Sequence, residues 1–229
     1  MIKSIIYTLT YIIFFIVVAI VLFINLAPQF GSNPSSEQKV FYDSFPNYSK
    51  GGFENFEATP MMTGEISTWD FFKEDSSRKP TSAILPKSIN FDSFAKTNSD
   101  YRLAWLGHSA FLINVMGKII LLDPMLGTHA APIPLPNLKR FNEVLPIKLE
   151  SIDKIDFVVI SHDHYDHLDY STIKLLKDKV SKFLAPHGIG NHLKKWGVKS
   201  NQIVELNWNE SFSAENIEFH CLPSRHFSG

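Results

Sequence analysis

The chain has 229 residues, with 22 lysines and arginines against 23 aspartates and glutamates, and 45% of its residues are hydrophobic. A hydrophobic fraction this high excludes wholesale disorder, and the net charge of −1 lacks the basic excess typical of nucleic-acid-binding proteins. A single cysteine cannot close an intramolecular disulfide and excludes cysteine-rich zinc sites. The nine histidines remain as candidate catalytic or metal-binding residues.

The N-terminal segment is apolar and uncharged. Ile5 to Leu26 is almost wholly hydrophobic, and no charged residue lies between Lys3 and Glu37. About 20 apolar residues in a helix are enough to cross the hydrocarbon core of a bilayer. We therefore predict that residues 1–26 form a single-pass membrane anchor, with the rest of the chain on the extracytoplasmic side (periplasmic in a bacterium). A cleaved signal peptide is the alternative, because Lys3 supplies the positive charge that precedes such segments.

Residues 27–100 are rich in proline, glycine and aromatic residues and show no helical or strand period. Nine large aromatic side chains are too many for a solvated linker, namely Phe41, Tyr42, Phe45, Tyr48, Phe53, Phe56, Trp69, Phe71 and Phe72. Aromatic side chains of this size are usually buried. We expect an irregular arm that lies on the globular domain.

Residues 101–229 alternate strand-like and helix-like patterns. Short apolar runs with strand character occupy 103–106, 111–115, 118–122, 155–160, 182–185, 203–206 and 217–222. We expect the first three to pair as antiparallel neighbours and 155–160 to be buried on both faces. Helices are predicted from a cap at Asp169 or Ser171 to about Val180, and from about Ile189 to Trp196. This alternation predicts an α/β or α+β layered domain.

The buried strand is followed by a dense cluster of metal-ligand side chains, Ser161-His162-Asp163-His164-Tyr165-Asp166-His167-Leu168-Asp169. His162 and His164 are two apart in extended backbone, so their side chains point the same way. After a turn, Asp166 and His167 can face the same cavity and hold a second ion. Imidazole nitrogens and carboxylate oxygens are zinc ligands. The alternative is a polar loop whose histidines only titrate.

This motif resembles that of the metallo-β-lactamase superfamily of binuclear metallohydrolases. The flanking sequence motifs resemble those of the branch that contains N-acylphosphatidylethanolamine phospholipase D, to which the sugar-lactone hydrolases are related. They are Trp105-Leu106-Gly107-His108-Ser109-Ala110-Phe111, Leu122-Asp123-Pro124 and Ser224-Arg225-His226-Phe227-Ser228-Gly229. The resemblance implies that residues 101–229 are the N-terminal part of an αββα sandwich.

The resemblance also implies the roles of individual residues. His162, His164 and His226 would bind one zinc ion, and Asp166 and His167 a second. Asp123 would not bind metal itself but would orient a ligand residue by a hydrogen bond, as metal-bound imidazoles usually require. His108 either lines the pocket or has a structural role in its turn.

The implied function is that of a zinc-dependent metallohydrolase, in the first place a phosphodiesterase of phospholipase D type. It would act through a zinc-bound hydroxide. No side chain is expected to be catalytic beyond those that hold the metal and its water. A lactonase or another hydrolase of the same fold is the alternative. The expected partners are the lipid bilayer and a phospholipid or other phosphodiester substrate. Nothing indicates a nucleic-acid partner, and the oligomeric state is open.

The C-terminus departs from the family pattern. Members continue past the third histidine motif into strands that supply a bridging aspartate and a further histidine, whereas Gly229 is the last residue here. We therefore expect a truncated chain with an incomplete sandwich and an uncovered apolar face. The complete family site holds two zinc ions, and a single ion at the three histidines is the alternative for this chain. An inactive remnant that binds only metal or a partner is a further alternative.

Overall fold

A computed structural model describes residues 2–60, 80–82, 84–96 and 101–227 of the chain. Its first element is α1 (Ile2–Leu26), a helix of 25 residues with no buried side chain. At 1.5 Å per residue this helix is about 37 Å long. It is the single helix among the described residues that is long and apolar enough to cross a membrane, a test that signal sequences also pass.

The arm contains regular elements that the sequence patterns did not reveal. Helix α2 (Ser36–Tyr42) begins at a capping box, in which Ser35 and Gln38 each accept the backbone N–H of the other. Strands β1 (Tyr48–Ser49) and β2 (Gly52–Phe53) form a short hairpin, and α3 (Phe91–Ala95) precedes the sheet. The arm aromatics Trp69, Phe71 and Phe72 lie outside the described residues.

A six-stranded mixed sheet forms the centre of the domain. Its strands, in spatial order, are β3 (Tyr101–Gly107), β4 (Ala110–Val115), β5 (Lys118–Leu122), β6 (Ile155–Val159), β7 (Val180–Pro186) and β8 (Ile203–Leu206). The first three pair antiparallel, which confirms the expectation from their short connections. The last four are parallel to one another. Strand β6 lies inside the sheet and is buried, as its largely apolar sequence predicted.

Helices α4 (Tyr170–Leu176) and α5 (Ile189–Lys195) pack on one face of the sheet and close the main core. The Asp169 carboxylate caps α4 by accepting the backbone N–H groups of Ser171 and Thr172. The helix ends at Leu176, four residues before the predicted end, because a 3₁₀ turn over Lys177–Lys179 leads directly into β7.

The opposite face of the sheet is covered in its middle by a hairpin of β9 (Ser211–Ala214) and β10 (Ile217–His220). Phe219 of this hairpin packs on Phe157 of β6, with ring centroids 4.9 Å apart. The layers are therefore helices, sheet and hairpin, which fits the predicted layered fold. At the sheet edge, β3 leaves a row of large apolar side chains exposed, Tyr101, Leu103 and Trp105.

The segment that follows α1 is tied to α5. The indole N–H of Trp196, just after α5, donates to the Pro28 carbonyl at 2.7 Å. The Lys195 ammonium donates to the Gly31 carbonyl, and the Ser32 backbone N–H donates to His192 Nδ1 at 3.1 Å. We call these three contacts the α5 clamp.

The arm also contacts the domain further along the chain, where the ring of Phe45 stacks on His187 with centroids 5.0 Å apart.

Candidate metal centre

The candidate metal ligands lie at the carboxyl end of the parallel strands. His162 follows β6 after two residues, and Asp123 directly follows the neighbouring strand β5. Parallel strands β5 and β6 end at the same edge of the sheet, and the Asp123 backbone N–H donates to the Val159 carbonyl at 2.9 Å. This bond holds the two strand ends together. Asp123 and His162 therefore lie close together although 39 positions separate them in the chain.

Three histidines form the first donor set. His162 Nε2 lies 3.1 Å from His164 Nδ1, and His226 Nε2 lies 3.2 Å from the same His164 atom. Two nitrogen ligands at 2.0–2.1 Å from a tetrahedral zinc ion lie about 3.3 Å apart. Both distances from His164 match ligands that share one ion, and one ligand atom from each of the three histidines lies within 4.8 Å of the other two.

His164 contributes Nδ1 to this donor set. Its other ring nitrogen, Nε2, is buried and has no hydrogen-bond partner in the described part of the chain. Coordination through Nδ1 would leave the ring proton on Nε2 and would not supply a partner for it. The fit to the metal that the sequence motif implies therefore rests on the approach of His164 Nδ1 to the Nε2 atoms of His162 and His226.

His226 is held at the first donor set by the arm. The Asn55 side chain donates to the His226 carbonyl at 2.7 Å and accepts the His226 backbone N–H at 3.2 Å. The neighbouring Arg225 donates to the Thr59 hydroxyl at 3.1 Å. Asn55 was not predicted from the sequence, because nothing in the local pattern connects it with a residue 171 positions away.

A second donor set lies beside the first and consists of His108, Asp166 and His167. His108 Nε2 lies 2.8 Å from Asp166 Oδ2, and His167 Nε2 lies 3.8 Å from the same oxygen. One ligand atom from each residue lies within 4.8 Å of the other two. The sequence motif predicted that Asp166 and His167 lie together, and two roles were open for His108, in the pocket or in its turn. The structure places His108 in the turn after β3 and also in contact with Asp166.

Asp123 links the two donor sets. Its Oδ2 lies 2.9 Å from His167 Nδ1 and accepts the Ser161 hydroxyl at 2.7 Å. The same Ser161 oxygen lies 2.8 Å from His162 Nδ1. Since the hydroxyl proton is donated to the carboxylate, the Ser161 oxygen accepts the Nδ1 proton of His162. Both imidazoles are thereby fixed as the tautomer whose Nε2 is free to bind a metal.

The electrostatics keep candidate ligands in their metal-binding protonation states. Burial and, after it, the neighbouring imidazoles together lower the pKa of His162 to about 4, against the opposing effect of Asp123. Burial raises the pKa of Asp166, but His167, a backbone hydrogen bond and His108 outweigh it, so the net pKa lies below its ordinary value. Near neutral pH, His162 is therefore a neutral imidazole and Asp166 a carboxylate.

Two residues of the centre adopt backbone conformations that side chains rarely take. The φ angle is +45° at His108 and +41° at Asp123. Left-handed backbone is uncommon outside glycine, although Asp and His tolerate it better than bulkier residues. Such strain often accompanies functional sites, where the surrounding structure holds it in place. Here the Trp105 indole donates to the His108 carbonyl at 2.8 Å and holds the turn.

Comparison with known proteins agrees with this geometry. A sequence model of the family described as "Beta-lactamase superfamily domain" matches residues 118–229. An uncharacterized protein of Mycobacterium tuberculosis (strain ATCC 25618 / H37Rv) is 35% identical over 205 residues, which are 87% of this chain and 54% of that protein.

Two further relatives have names that describe an activity. N-acyl-phosphatidylethanolamine-hydrolyzing phospholipase D 1 of Caenorhabditis elegans is 34% identical over 161 residues, 66% of this chain and 45% of that protein. A UPF0173 metal-dependent hydrolase of Hyperthermus butylicus is 30% identical over 128 residues, 54% of this chain and 50% of that protein. The chain spans about half the length of these curated relatives.

The matched region contains the clustered histidines, and His226 lies near its end. The layered fold and the two adjacent donor sets are consistent with the match. Together, the family match, the layered fold and the two donor sets support a metallo-β-lactamase superfamily domain over residues 118–229.

Proposed function

We propose that this chain carries the metal-binding part of a zinc-dependent hydrolase. The observation that carries the proposal is the arrangement of two donor sets side by side, joined through Asp123. His162, His164 and His226 would hold one ion, and Asp166 and His167 would take part in holding a second. Mixed imidazole and carboxylate ligands suit zinc, and three protein ligands leave a position open for water or substrate.

A bound metal ion supplies Lewis acidity and makes water a nucleophile near neutral pH. The chain's own residues prepare for this chemistry in two ways. The Asp123 carboxylate and the Ser161 hydroxyl accept hydrogen bonds from the Nδ1–H groups of His167 and His162, so that the protons stay on Nδ1 and the Nε2 atoms remain unprotonated. Both residues also hold their imidazole rings in one orientation, which avoids reorganisation during the reaction.

For the substrate we propose a phosphodiester, with cleavage of phospholipase D type. The proposal is supported by the relative from C. elegans, whose name describes hydrolysis of an N-acylated phosphatidylethanolamine. A pair of metal ions can neutralise the charge that develops on phosphoryl oxygens. A lactone or another substrate of the superfamily is the chemical alternative, because the metal ligands alone do not select the leaving group.

Metal analysis and turnover of generic substrates test this function. The full chain, purified in detergent, is analysed for metal content by mass spectrometry and assayed with bis(p-nitrophenyl) phosphate and with a simple lactone. We expect bound zinc and phosphodiester hydrolysis that is lost in His162→Ala. The control is His220→Ala, since His220 is exposed and pairs with Glu218 on β10.

The other outcomes of this experiment are equally informative. Hydrolysis of the lactone without the phosphodiester would replace the proposed substrate class. Bound zinc without turnover of either substrate would favour a chain that only binds metal. A chain that binds no metal would refute the proposed function as a whole.

We also propose that α1 is a membrane anchor, which would place the domain at a bilayer surface on the extracytoplasmic side. The length and exposure of α1 support the membrane span, and the side is the one expected from Lys3, the charged residue near its N-terminus. Membranes of expressing cells are washed with alkaline carbonate, and the mass of the retained protein is measured. An anchor predicts retention at the full mass. Release into the wash, or a mature chain that begins near residue 27, would contradict it.

A further inference from the structure

We propose that the end of the domain where the α5 clamp holds the segment after α1 binds the anionic headgroups of the bilayer that α1 would span. This inference rests on the proposed membrane anchor and concerns a surface outside the candidate metal centre. We call this surface the basic end, and we define it by six lysines, Lys177, Lys179, Lys182, Lys194, Lys195 and Lys199.

The basic end carries a local excess of positive charge. Residues 177–204 contain six lysines and one acidic residue, Asp178. The Lys177 ammonium pairs with the Asp178 carboxylate at 3.0 Å, so no acidic residue of this segment offsets the other five lysine charges. The net charge of the whole chain is −1, so this excess is not a general property of the molecule.

Contacts between two loops bring the lysines to one end of the domain. The Gln202 amide donates to the Val180 carbonyl at 2.6 Å, and the Lys182 ammonium donates to the Asn201 carbonyl at 2.7 Å. The loop after α4 and the loop after α5 therefore lie side by side. They lead into the parallel strands β7 and β8, so they lie at the end of the sheet opposite the candidate metal ligands.

The contacts that these lysines make do not neutralise their charges. Lys179 and Lys195 donate to backbone carbonyls, those of Glu150 and Gly31. A carbonyl accepts a hydrogen bond but carries no net charge, so both ammonium groups stay cationic.

The two remaining lysines, Lys194 and Lys199, are exposed and form no ion pair with any residue that the structure describes. The acidic residues around the basic end are few. Glu150 is exposed and adds one negative charge beside Lys179. The balance therefore remains positive.

The α5 clamp brings the basic end to the point where α1 would leave the bilayer. The Trp196 indole donates to the carbonyl of Pro28, two residues after the end of α1. Lys195 of the basic end itself contacts Gly31, five residues after the same helix end. Clusters of lysines beside a membrane-spanning helix are typical of surfaces that recognise anionic lipid headgroups.

An anionic bilayer fits this surface better than a soluble polyanion does. If α1 is an anchor, it holds the headgroups at a high effective concentration beside the lysines, whereas a soluble partner must be captured from solution. The side chains also suit a bilayer. Residues 177–204 contain no arginine, and a lysine ammonium is a compact point charge without the planar fork that recognises one fixed phosphate geometry.

Lysine footprinting of the full chain tests this inference. The chain is reconstituted in lipid nanodiscs of phosphatidylcholine alone or of an equal mixture with phosphatidylglycerol, and acetylation of each lysine is followed by mass spectrometry. We expect acetylation of Lys194 and Lys199 to be at least about fivefold slower in the anionic nanodiscs, the effect of roughly one lysine at an anionic surface. This protection should disappear at about 1 M salt, where the Debye length is about 3 Å.

Two double variants show whether the lysines cause the protection. Lys194→Gln with Lys199→Gln removes two exposed charges and leaves the clamp contact of Lys195 in place. In this variant Lys182 should be acetylated in anionic nanodiscs almost as fast as in neutral ones. Lys87→Gln with Lys96→Gln is the matched control, because both lysines are exposed and lie outside the basic end. It should retain the protection of Lys182, and equal thermal unfolding of both variants in neutral nanodiscs shows that they are folded.

The other outcomes would contradict the inference in different ways. Equal acetylation of Lys194 and Lys199 in the two kinds of nanodisc would overturn it and leave the anchor in place. Equal slowing of Lys87 and Lys96 in the wild type would show a general effect of the anionic surface rather than docking of the basic end. Protection by soluble polyphosphate but not by anionic nanodiscs would replace the bilayer with a soluble polyanion. A chain that does not enter nanodiscs would refute the anchor itself.

Discussion

The Asp123 carboxylate lies 2.9 Å from Nδ1 of His167, at the point where strand β5 ends beside β6. The contact is almost wholly buried, since the side chains are 7% and 15% exposed, respectively. It sets the tautomer of His167 and, through Ser161, that of His162. One carboxylate thus orients one candidate ligand in each donor set.

Asp123→Asn should weaken metal binding without removing a ligand. The amide cannot serve both Ser161 and His167 as the carboxylate does, and the His167 ring would lose its fixed orientation. We expect the affinity for metal to fall by about 10–100-fold, as is usual for partners of ligating histidines. Competition with a chromogenic chelator measures this change. Asp153→Asn, an exposed aspartate near the start of β6, is the control and should leave the affinity unchanged.

Ser161→Ala should produce a smaller effect that is confined to the ion at His162. The substitution removes the hydroxyl between Asp123 and His162 but retains the Ser161 backbone N–H, which donates to Asp123 at 2.7 Å. Loss of one hydrogen bond costs about 0.5–1.5 kcal/mol, which corresponds to a weakening of roughly 2- to 13-fold. The same titration resolves it. An equal loss at both ions would show that Ser161 acts on the whole centre rather than on His162.

Gly31→Ala should disrupt the α5 clamp. A Cβ atom at this position would lie 1.6 Å from His192 Nδ1, and the residue has a φ angle of +68°. Gly51→Ala is the matched control, because Gly51 has a φ angle of +84° but no atom within 4 Å of such a Cβ. Both variants bear the cost of positive φ, about 1–3 kcal/mol. Only Gly31→Ala should also expose the segment between α1 and α2 to limited proteolysis.

The clamp should also make stability depend on pH through His192. Burial lowers the pKa of His192 in the folded chain below its ordinary value of 6.5. Below about pH 6.5 the unfolded chain therefore takes up a proton that the folded chain does not, and the free energy of unfolding falls as the pH decreases. His192→Asn retains an acceptor for the Ser32 N–H but cannot titrate. Its free energy of unfolding should fall less between pH 7.5 and pH 5 than that of the wild type.

Thermal unfolding of the full chain in detergent, measured at both pH values, checks this prediction. The other histidines are common to both proteins, so the difference between their pH profiles isolates His192. Parallel profiles would show that protonation of His192 does not affect the clamp.

The part of the centre that the sequence predicts best is the part that is local in the chain. His162, His164, Asp166 and His167 lie within six positions after a buried strand, and strand geometry alone brings the first two together. The role of Asp123 was implied by the family resemblance, and its position at the end of a strand agreed with that role. His226 required the family resemblance, because no local pattern connects it with the cluster.

Contacts made by irregular segments were not predictable in this way. The hydrogen bonds of Asn55 to His226 depend on how the arm crosses the domain. The hairpin strand Ser211–Ala214 was missed because it has little apolar character. Helix α2 carries a recognisable signal, the capping box of Ser35 and Gln38, which a search for apolar periodicity overlooks.

The α5 clamp has a mechanical consequence. Pro28 lies two residues after the end of α1, and its carbonyl is already bonded to Trp196. No slack tether therefore separates α1 from the domain. If α1 lies in a bilayer, the domain cannot drift away from the surface or rotate freely above it. The candidate metal centre would then be reached only by molecules within roughly one domain diameter of the lipid. Substrates in the bilayer would find it by diffusion in two dimensions rather than three.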